Sequence, residues 1–220
     1  MIMAHNIRKI YKGAGEENIV LDNLCFSAQK GEFCIVTGQS GCGKSTFLNV
    51  MSCLDSFDSG KLVINGKDIA HISPKELYAI RRTDISFVFQ GYNLISSLTA
   101  IENVALSLKY QGVARAQRME RAYEALSAVG LSHRAEYMPH QMSGGQQQRV
   151  AIARALVTAP KILFCDEPTG NLDSESAALV LEKIKQLQDR GTLILMITHD
   201  KSLLHLADRC LTLKNGRLCS

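Results

Sequence analysis

A glycine-rich stretch at residues 38–46, Gly-Gln-Ser-Gly-Cys-Gly-Lys-Ser-Thr, constrains this chain more than any other feature. It follows residues 32–37, which are apolar enough for a buried strand, and it precedes residues 47–51, which contain no helix breaker. Its glycines permit a tight loop whose backbone N–H groups turn toward one anion, and the following helix adds the positive end of its dipole. The stretch therefore predicts a phosphate-binding loop between a strand and a helix.

Two side chains of this loop have the chemistry to bind a nucleotide together with its metal ion. Lys44 is placed to reach β- and γ-phosphates as a point charge, and the Ser45 hydroxyl can complete the octahedral shell of Mg²⁺. A chance glycine-rich turn is the alternative, and the flanking strand and helix disfavour it. The predicted nucleotide contacts in the loop are Gly38, Gln39, Ser40, Gly41, Cys42, Gly43, Lys44, Ser45 and Thr46.

Length, charge and cysteine usage limit the class of protein. A chain of 220 residues that is 46% hydrophobic can bury the core of one domain with a subdomain. The net charge of +4 includes no long block of like charges, so no nucleic-acid partner is expected. We also expect no membrane span, no signal peptide and a cytoplasmic location. The seven cysteines include no Cys-x-x-Cys pair, which indicates a reducing compartment without disulfides or a zinc site.

The pattern of apolar residues predicts an α/β fold in one domain spanning residues 1–220. Residues 2–11 and 19–28 read as an antiparallel β flap joined by the polar connection 12–18. Helical periodicity between residues 91 and 143 predicts an inserted α-helical subdomain. The remaining segments, 1–90 and 144–220, form the core around a mostly parallel sheet. We expect no accessory domain after the last hairpin.

Two carboxylates follow the apolar strand predicted at residues 162–165. Asp166 and Glu167 would therefore lie at the carboxyl end of the sheet, where α/β proteins bind their ligands. Asp166 is suited to hold Mg²⁺ through its water shell, and Glu167 to act as a general base on the attacking water. A solvated acidic pair at a strand end is the alternative.

A second anion site is predicted just before another helix, at Ser143, Gly144, Gly145 and Gln146. One nucleotide needs one phosphate loop, so the simplest use of a second site is to grip the γ-phosphate bound by another copy of the chain. A helix cap is the alternative, and it would explain the serine but not the paired glycines.

Further polar side chains follow other predicted strands. Gln90 follows residues 85–89, and His199 follows the apolar run 193–197. We expect both to reach the same sheet edge as the acidic pair, where the histidine can hydrogen-bond a γ-phosphate or orient the attacking water. Tyr11, at the end of the first strand, could stack on a purine, although an ordinary exposed tyrosine is the alternative.

Local signals also predict where helices begin and end. Ser73, followed three residues later by Glu76, predicts a capped helix that runs to about residue 82. Pro160 is expected to close the helix that begins at the paired glycines.

These motifs occur in the order found in the ATP-binding-cassette (ABC) ATPases, which the chain resembles over nearly its whole length. The resemblance implies an α/β P-loop core that binds ATP and Mg²⁺ and hydrolyses ATP. It implies Glu167, His199 and Gln90 as catalytic residues and Ser45, Gln90 and Asp166 as metal ligands. The matching motifs are the aromatic A-loop at Tyr11, Walker A at 38–46, the Q-loop at Gln90, the signature at 142–147, Walker B at 162–167, the D-loop at 171–173 and the switch histidine His199. Met142 stands where the family usually has leucine, a volume-conserving change.

A narrower resemblance is to the ATPases of the macrolide-exporter, lipoprotein-release and antimicrobial-peptide-resistance transporters. It rests on the strings at residues 87–90, 92–95, 98–100, 102–104 and 169–173. It implies a head-to-tail homodimer that closes on two Mg-ATP and drives a separate membrane permease, on the inner face of the cell membrane. A groove for a permease helix would then be lined by Tyr92, Leu94, Ile95 and Leu98, unless these residues pack inside the helical subdomain.

Two other functions compete with a transporter ATPase. One is the ATPase of a permease-like signalling complex with no transported substrate, which the sequence separates poorly from a transporter. The other is a soluble ABC protein of DNA repair or translation. The second is disfavoured, because the chain has one cassette, no long coiled-coil insertion and no basic arm.

Overall fold

The computed structural model describes residues 1–13 and 17–219. Residues 14–16 of the predicted flap connection therefore lie outside the described residues. Within the described part of the chain, no helix is long and apolar enough to span a bilayer.

An antiparallel sheet of four strands, in the order β2-β1-β4-β5, forms one layer and confirms the predicted flap. β1 lies centrally and pairs antiparallel with both β2 and β4. The inward side chains of these strands are apolar except for Lys9, which pairs with Asp55, and the apolar ones join the main core below. The strands are β1 (Ile2–Lys12), β2 (Glu17–Ala28), β4 (Ser59–Ile64) and β5 (Lys67–Asp68).

The second sheet has six strands in the order β10-β9-β3-β8-β7-β6 and is parallel except for the β9-β10 hairpin. The central strands β3, β7 and β8 are buried on both faces, as their continuous apolar sequences predict. Their carboxyl ends meet at one edge, which confirms the predicted fold class. The strands are β3 (Phe33–Thr37), β6 (Ile85–Val88), β7 (Ile162–Asp166), β8 (Leu193–Ile197), β9 (Arg209–Lys214) and β10 (Arg217–Cys219).

Helices flank this sheet and also build a separate layer. Their bounds are α1 (Lys44–Met51), α2 (Pro74–Thr83), α3 (Ala100–Tyr110), α4 (Arg115–Ala128), α5 (Gly144–Leu156) and α6 (Ser174–Asp189). The predicted cap of α2 is confirmed, since the Ser73 hydroxyl accepts from the backbone N–H of Glu76 and the Glu76 carboxylate accepts from that of Ser73.

Apolar side chains form three clusters, and α5 belongs to two of them. Val150 and Ala153 pack with α3 and α4, whereas Ile152 and Ala155 pack against the parallel sheet and α6. The helix therefore joins the helical layer rigidly to the core. The division at residues 91–143 stays a prediction.

Two predicted boundaries differ from the structure. α5 ends at Leu156 rather than reaching Pro160, because Ala159 takes a left-handed φ of 48° and the residue before a proline disfavours the helical region. β7 includes Asp166, which pairs with Ile197, so the first carboxylate is the last residue of the strand.

Candidate functional site

The glycine-rich loop places the N-terminus of α1 at the carboxyl end of β3. Gly43 is the N-cap residue, with a left-handed φ of 99° and no side-chain hydrogen bond to the first helical turn. A Cβ on Gly43 would lie 2.8 Å from Val20 Cγ1 of β2, so only glycine fits this close approach. The first backbone N–H groups of α1 thus have no side-chain cap, and they can bind an anion.

Lys44 brings a buried positive charge into this loop. Its residue is only 8% exposed, and its Nζ donates to the backbone carbonyls of Gly38 and Gln39 at 2.9 and 2.8 Å. The loop therefore folds around the ammonium group, which lies where phosphate oxygens would be attracted.

The two carboxylates lie beside the loop, as predicted. Burial raises the pKa of Asp166, while a hydrogen bond with Ser45 and the charge of Lys44 act against that rise. Burial also raises the pKa of Glu167, and the backbone hydrogen bond and the charge of His199 oppose it. A partly desolvated carboxylate with a raised pKa is suited to accept a proton.

His199 contacts both oxygens of the Glu167 carboxylate. Its backbone N–H donates to Glu167 Oε2 at 3.4 Å, and its Nε2 lies 3.5 Å from Glu167 Oε1. Among the described residues, Oε1 has no hydrogen-bond partner although it is buried. This oxygen can therefore accept a hydrogen bond from a small polar ligand in the cleft.

These groups line one cleft of about 390 Å³, which we call the phosphate cleft. It brings together most of the predicted loop residues and the predicted Gln90, Asp166, Glu167 and His199. Val20 also lines it and was missed, because its place depends on how β2 crosses the loop. The lining residues are Val20, Ser40, Gly41, Gly43, Lys44, Ser45, Thr46, Gln90, Asp166, Glu167, Ile197 and His199.

Four predicted nucleotide contacts outside the Ser143–Gln146 stretch do not line this cleft, namely Tyr11, Gly38, Gln39 and Cys42. The half-buried Cys42 lines a separate cavity of about 440 Å³ with Thr212 and Lys214, so its backbone alone can serve a phosphate. The Tyr11 hydroxyl donates to Asp55 at 2.8 Å, and the tyrosine is 42% exposed. Its exposed ring stays available for stacking, but nothing in the cleft requires that role.

The Ser143–Gln146 stretch is closed on itself. The Ser143 hydroxyl accepts from the Gln146 N–H at 3.3 Å, and Gln146 Oε1 accepts from the Ser143 N–H at 3.0 Å. The paired glycines also have a packing reason that sequence reasoning missed. A Cβ on Gly144 would lie 2.7 Å from the Tyr92 hydroxyl, and one on Gly145 would lie 3.2 Å from the Asn171 carbonyl. No residue of this stretch is among the described residues that line the phosphate cleft.

A groove of about 420 Å³ lies between the core and the helical layer. None of Tyr92, Leu94, Ile95 and Leu98 is among its lining residues, and Leu94 packs on the helical cluster. That these four residues line a groove for a permease helix stays a prediction. The groove draws on four separate segments, within residues 52–54, 78–93, 107–110 and 154–158. Its lining residues are Ser52, Leu54, Tyr78, Arg81, Arg82, Ile85, Ser86, Phe87, Phe89, Asn93, Ser107, Tyr110, Arg154, Ala155 and Thr158.

Comparison with known proteins decides the family. The model of the ABC transporter family matches residues 21–170, more than half of the chain. This chain belongs to the ABC transporter family. The cassette is 43% identical to an uncharacterized ABC transporter ATP-binding protein of Methanocaldococcus jannaschii, over 99% of the chain and 97% of that protein.

Other ABC proteins match the cassette as well. It is 44% identical to the macrolide export ATP-binding/permease protein MacB of Aggregatibacter actinomycetemcomitans, over 96% of the chain but only 33% of that protein. The cassette thus spans about a third of the length of the macrolide export proteins that it matches. Its fold superimposes with a TM-score of 0.96 and 39% identity on the ATP-binding cassette MJ0796, solved as a dimer in a post-hydrolysis state with ADP and Pi. That match covers 100% of this chain and 97% of the other. The predicted resemblance to the macrolide-exporter group is confirmed.

Proposed function

We propose that this cassette is the ATP-binding and ATP-hydrolysing subunit of a transporter. Two copies close head to tail on two Mg-ATP and drive a separate permease at the inner face of the membrane. The observation that carries the catalytic part is the buried Oε1 of Glu167, which has no hydrogen-bond partner among the described residues and lies in the same cleft as Lys44. An acceptor for a proton thus lies beside a cradle for phosphate.

Binding comes first in the proposed mechanism. The uncapped N-terminus of α1 and the Lys44 ammonium hold the β- and γ-phosphates. For Lys44 this means exchanging its two backbone carbonyl partners for phosphate oxygens, which carry full negative charge. The exposed ring of Tyr11 stacks on the base.

The residues of the cleft also fit a magnesium ion. Ser45 and Asp166 both line the cleft beside the loop, so it presents two hard oxygen donors. No cluster of three or more His, Cys, Asp or Glu in the described chain could hold a metal alone, and Mg²⁺ usually completes its shell with substrate phosphates. We assign Ser45, Asp166 and Gln90 to this ion. When bound, it would neutralise charge that develops on the phosphate oxygens.

Hydrolysis then depends on Glu167 and His199. Glu167 accepts a proton from a water molecule whose oxygen bonds to the γ-phosphorus, and the bond from that phosphorus to the ADP oxygen breaks. His199, 3.5 Å from the carboxylate, orients this water and the γ-phosphate. The products are ADP and inorganic phosphate.

The second copy supplies what one cleft lacks. Ser143–Gln146 caps a helix outside its own phosphate cleft, and MJ0796 is described as a dimer bound to ADP and Pi. We assign Ser143, Gly144, Gly145 and Gln146 to the γ-phosphate held by the other copy. The helical layer of residues 91–143 carries this stretch to the interface.

Replacing the base tests the catalytic proposal. Glu167→Gln should lower the rate of ATP hydrolysis roughly a hundredfold or more, within the range for a positioned proton acceptor, while keeping ATP affinity. Glu182→Gln, on the far helix α6, is the control and should change neither. Light scattering with Mg-ATP should show that the Glu167→Gln dimer persists. A variant that hydrolyses ATP normally, or stays monomeric at every concentration with permease present, would contradict the proposal.

The groove between core and helical layer is the proposed permease contact. Leu54, Tyr78 and Tyr110 are 39%, 53% and 56% exposed at its rim, and the arginines Arg81 and Arg82 flank them. Exposed apolar area rimmed by positive charge fits an apolar permease helix that bears an acidic residue.

A single charge in this groove should uncouple the two subunits. Tyr78→Asp should abolish co-purification with the permease in detergent while ATP hydrolysis by the isolated cassette stays within about twofold, since the side chain lies outside the phosphate cleft. Tyr123→Asp is the matched control, because Tyr123 is 50% exposed on α4 but does not line the groove. Equal loss of permease in both variants would argue against this groove.

A further inference from the structure

Gln148 is a fully buried polar side chain that the proposed mechanism does not yet use. It lies one turn into α5, with an exposed fraction of 0%. Its Nε2 donates to the Pro168 carbonyl at 3.1 Å. Its Oε1 is buried without a hydrogen-bond partner among residues 1–13 and 17–219.

Stability alone gives little reason to keep an amide at this position, because the hydrogen bond to the Pro168 carbonyl is offset by the cost of the buried Oε1, which has no partner among the described residues. A buried polar group without a partner costs free energy, and an apolar side chain of the same size would fill the space without that cost. Gln188 on α6 offers a contrast. It is also buried, at 8% exposed, but its Nε2 donates to Gly31 O and Asp208 Oδ2 and its Oε1 accepts from Lys185. Gln188 is fully paired, whereas Gln148 is paired only toward Pro168.

The segment that Gln148 holds carries the catalytic carboxylate. Glu167 has a left-handed φ of 49°, its N–H donates to Ile197 O at 3.0 Å, and its carbonyl accepts from Gly170 N–H at 3.3 Å. Pro168, the next residue, has no N–H of its own. Its carbonyl is therefore its only backbone hydrogen-bonding group, and Gln148 of α5 donates to it.

The same helix begins at the proposed contact to the second nucleotide. A Cβ built on Gly145 would lie 3.2 Å from the Asn171 carbonyl oxygen, so this glycine packs closely against the segment after Glu167. Gln148 lies three residues further along the helix. A shift of α5 when Ser143–Gln146 binds a γ-phosphate would therefore reach Pro168 through two adjoining contacts in one rigid helix.

We propose that Gln148 is a positioning residue, which fixes Glu167 through the Pro168 carbonyl and ties it to the helix that contacts the other nucleotide. The inference rests on the proposed role of Glu167 as the general base. The hydrogen bond from Gln148 to Pro168 would then link the ATP held by the other copy to the Glu167 carboxylate of this copy.

Two matched variants separate positioning from stability. Gln148→Met should lower kcat about tenfold, leave the KM for ATP within about twofold, and reduce the Hill coefficient toward one, with little change in the urea midpoint of unfolding. Gln188→Met should lower the urea midpoint of unfolding and leave kcat unchanged, because it breaks a fully paired amide far from the cleft. A kcat within twofold of wild type for Gln148→Met, or an equal loss of kcat in Gln188→Met, overturns the proposal.

A third variant retains the donor only in its protonated form. A buried glutamic acid has a raised pKa, and its O–H can donate to the Pro168 carbonyl. The kcat of Gln148→Glu, divided by that of wild type at each pH, should therefore exceed that of Gln148→Met in acid and fall as pH rises. A flat ratio overturns the proposal even if Gln148→Met folds poorly. Normal hydrolysis by Glu167→Gln would instead defeat the proposed function itself, so the two failures are distinguishable.

Discussion

The N-termini of α1 and α5 carry the two predicted anion sites, and they differ in how their backbone N–H groups are satisfied. The start of α1 has glycine at its N-cap, no side-chain cap and no acidic residue in its first turn. The start of α5 is closed by its own capping box between Ser143 and Gln146. The first end is thus open to an external anion in a single chain, whereas the second already uses the N–H groups of Ser143 and Gln146 in hydrogen bonds of its own.

This difference indicates an order of events. The open end of α1 holds Lys44 and can bind nucleotide before any partner is present. The closed end of α5 must exchange internal hydrogen bonds for a phosphate, and that exchange is favourable only for an anion that arrives with other contacts. A single chain should therefore bind ATP well, and dimer closure should be the step that opens the capping box.

The largest expected effect comes from the open end. Lys44→Met removes a buried ammonium that can make two charge-assisted bonds to phosphate, each worth about 1.5–3 kcal/mol, so ATP affinity should fall roughly a hundredfold or more. Titration of the single chain with a fluorescent ATP analogue measures this. Lys61→Met, which removes an exposed lysine, should bind normally. Unchanged affinity in Lys44→Met would break the contrast between the two helix ends.

A smaller effect on binding, but a clear one on turnover, is expected at the closed end. Ser143→Ala should leave ATP affinity of the single chain within about twofold and lower kcat about tenfold, because the hydroxyl acts only in the closed dimer. It should also cost about 1 kcal/mol of unfolding free energy, the usual cost of a lost cap.

The helix α2 supplies a control for the cap itself. Ser73→Ala removes an equivalent capping box, so it should lower stability as much as Ser143→Ala without changing kcat. If both variants lose the same turnover, Ser143 is a structural cap and nothing more.

The smallest expected effect is on how stability depends on pH, and it differs in sign between two carboxylates, Glu167 and Glu76. Burial raises the pKa of Glu167 above 4.5, so its contribution to stability is present below that value and is lost as pH rises through the folded pKa. Glu167→Gln should therefore be more stable than wild type near neutral pH, and the gain should vanish in acid.

Glu76, in the capping box of α2, should show the opposite sign. Hydrogen bonds from Ser73 lower its pKa below 4.5, so its contribution is present above that value and is lost as pH falls through the folded pKa. Glu76→Ala should thus be less stable than wild type at neutral pH, with the difference closing in acid. Urea unfolding of the nucleotide-free variants from acid to neutral pH measures both stability differences from wild type. If the two differences change in the same direction with pH, the burial argument is contradicted.

Much of the phosphate cleft could be predicted from sequence because its parts are local. A glycine-rich loop between a strand and a helix, and polar residues at the ends of apolar strands, define positions that a parallel sheet must bring to one edge. Gln90, Asp166, Glu167 and His199 all reach the cleft for this reason.

Contacts between distant segments were beyond that reasoning. Cys42 lines a cavity with Thr212 and Lys214 of β9, and the place of Val20 depends on how the flap crosses the loop. No periodicity encodes either contact. The groove lining is assembled from four separated segments, which no local pattern in the sequence marks. Gln148 reads in sequence as one polar residue of a helix, and only its tertiary burial marks it.

Glu167 lowers the stability of the fold, although the proposed reaction requires it. A left-handed φ costs a residue with a Cβ about 1–2 kcal/mol, which asparagine largely escapes, and burying a carboxylate adds a further cost. Glu167→Asn would relieve both costs while removing the proposed base, and thermal unfolding beside wild type measures the gain. Laboratory selection for yield or heat resistance alone should therefore accumulate inactive cassettes through changes at this codon, so a library of stabilised variants needs a turnover screen from its first round.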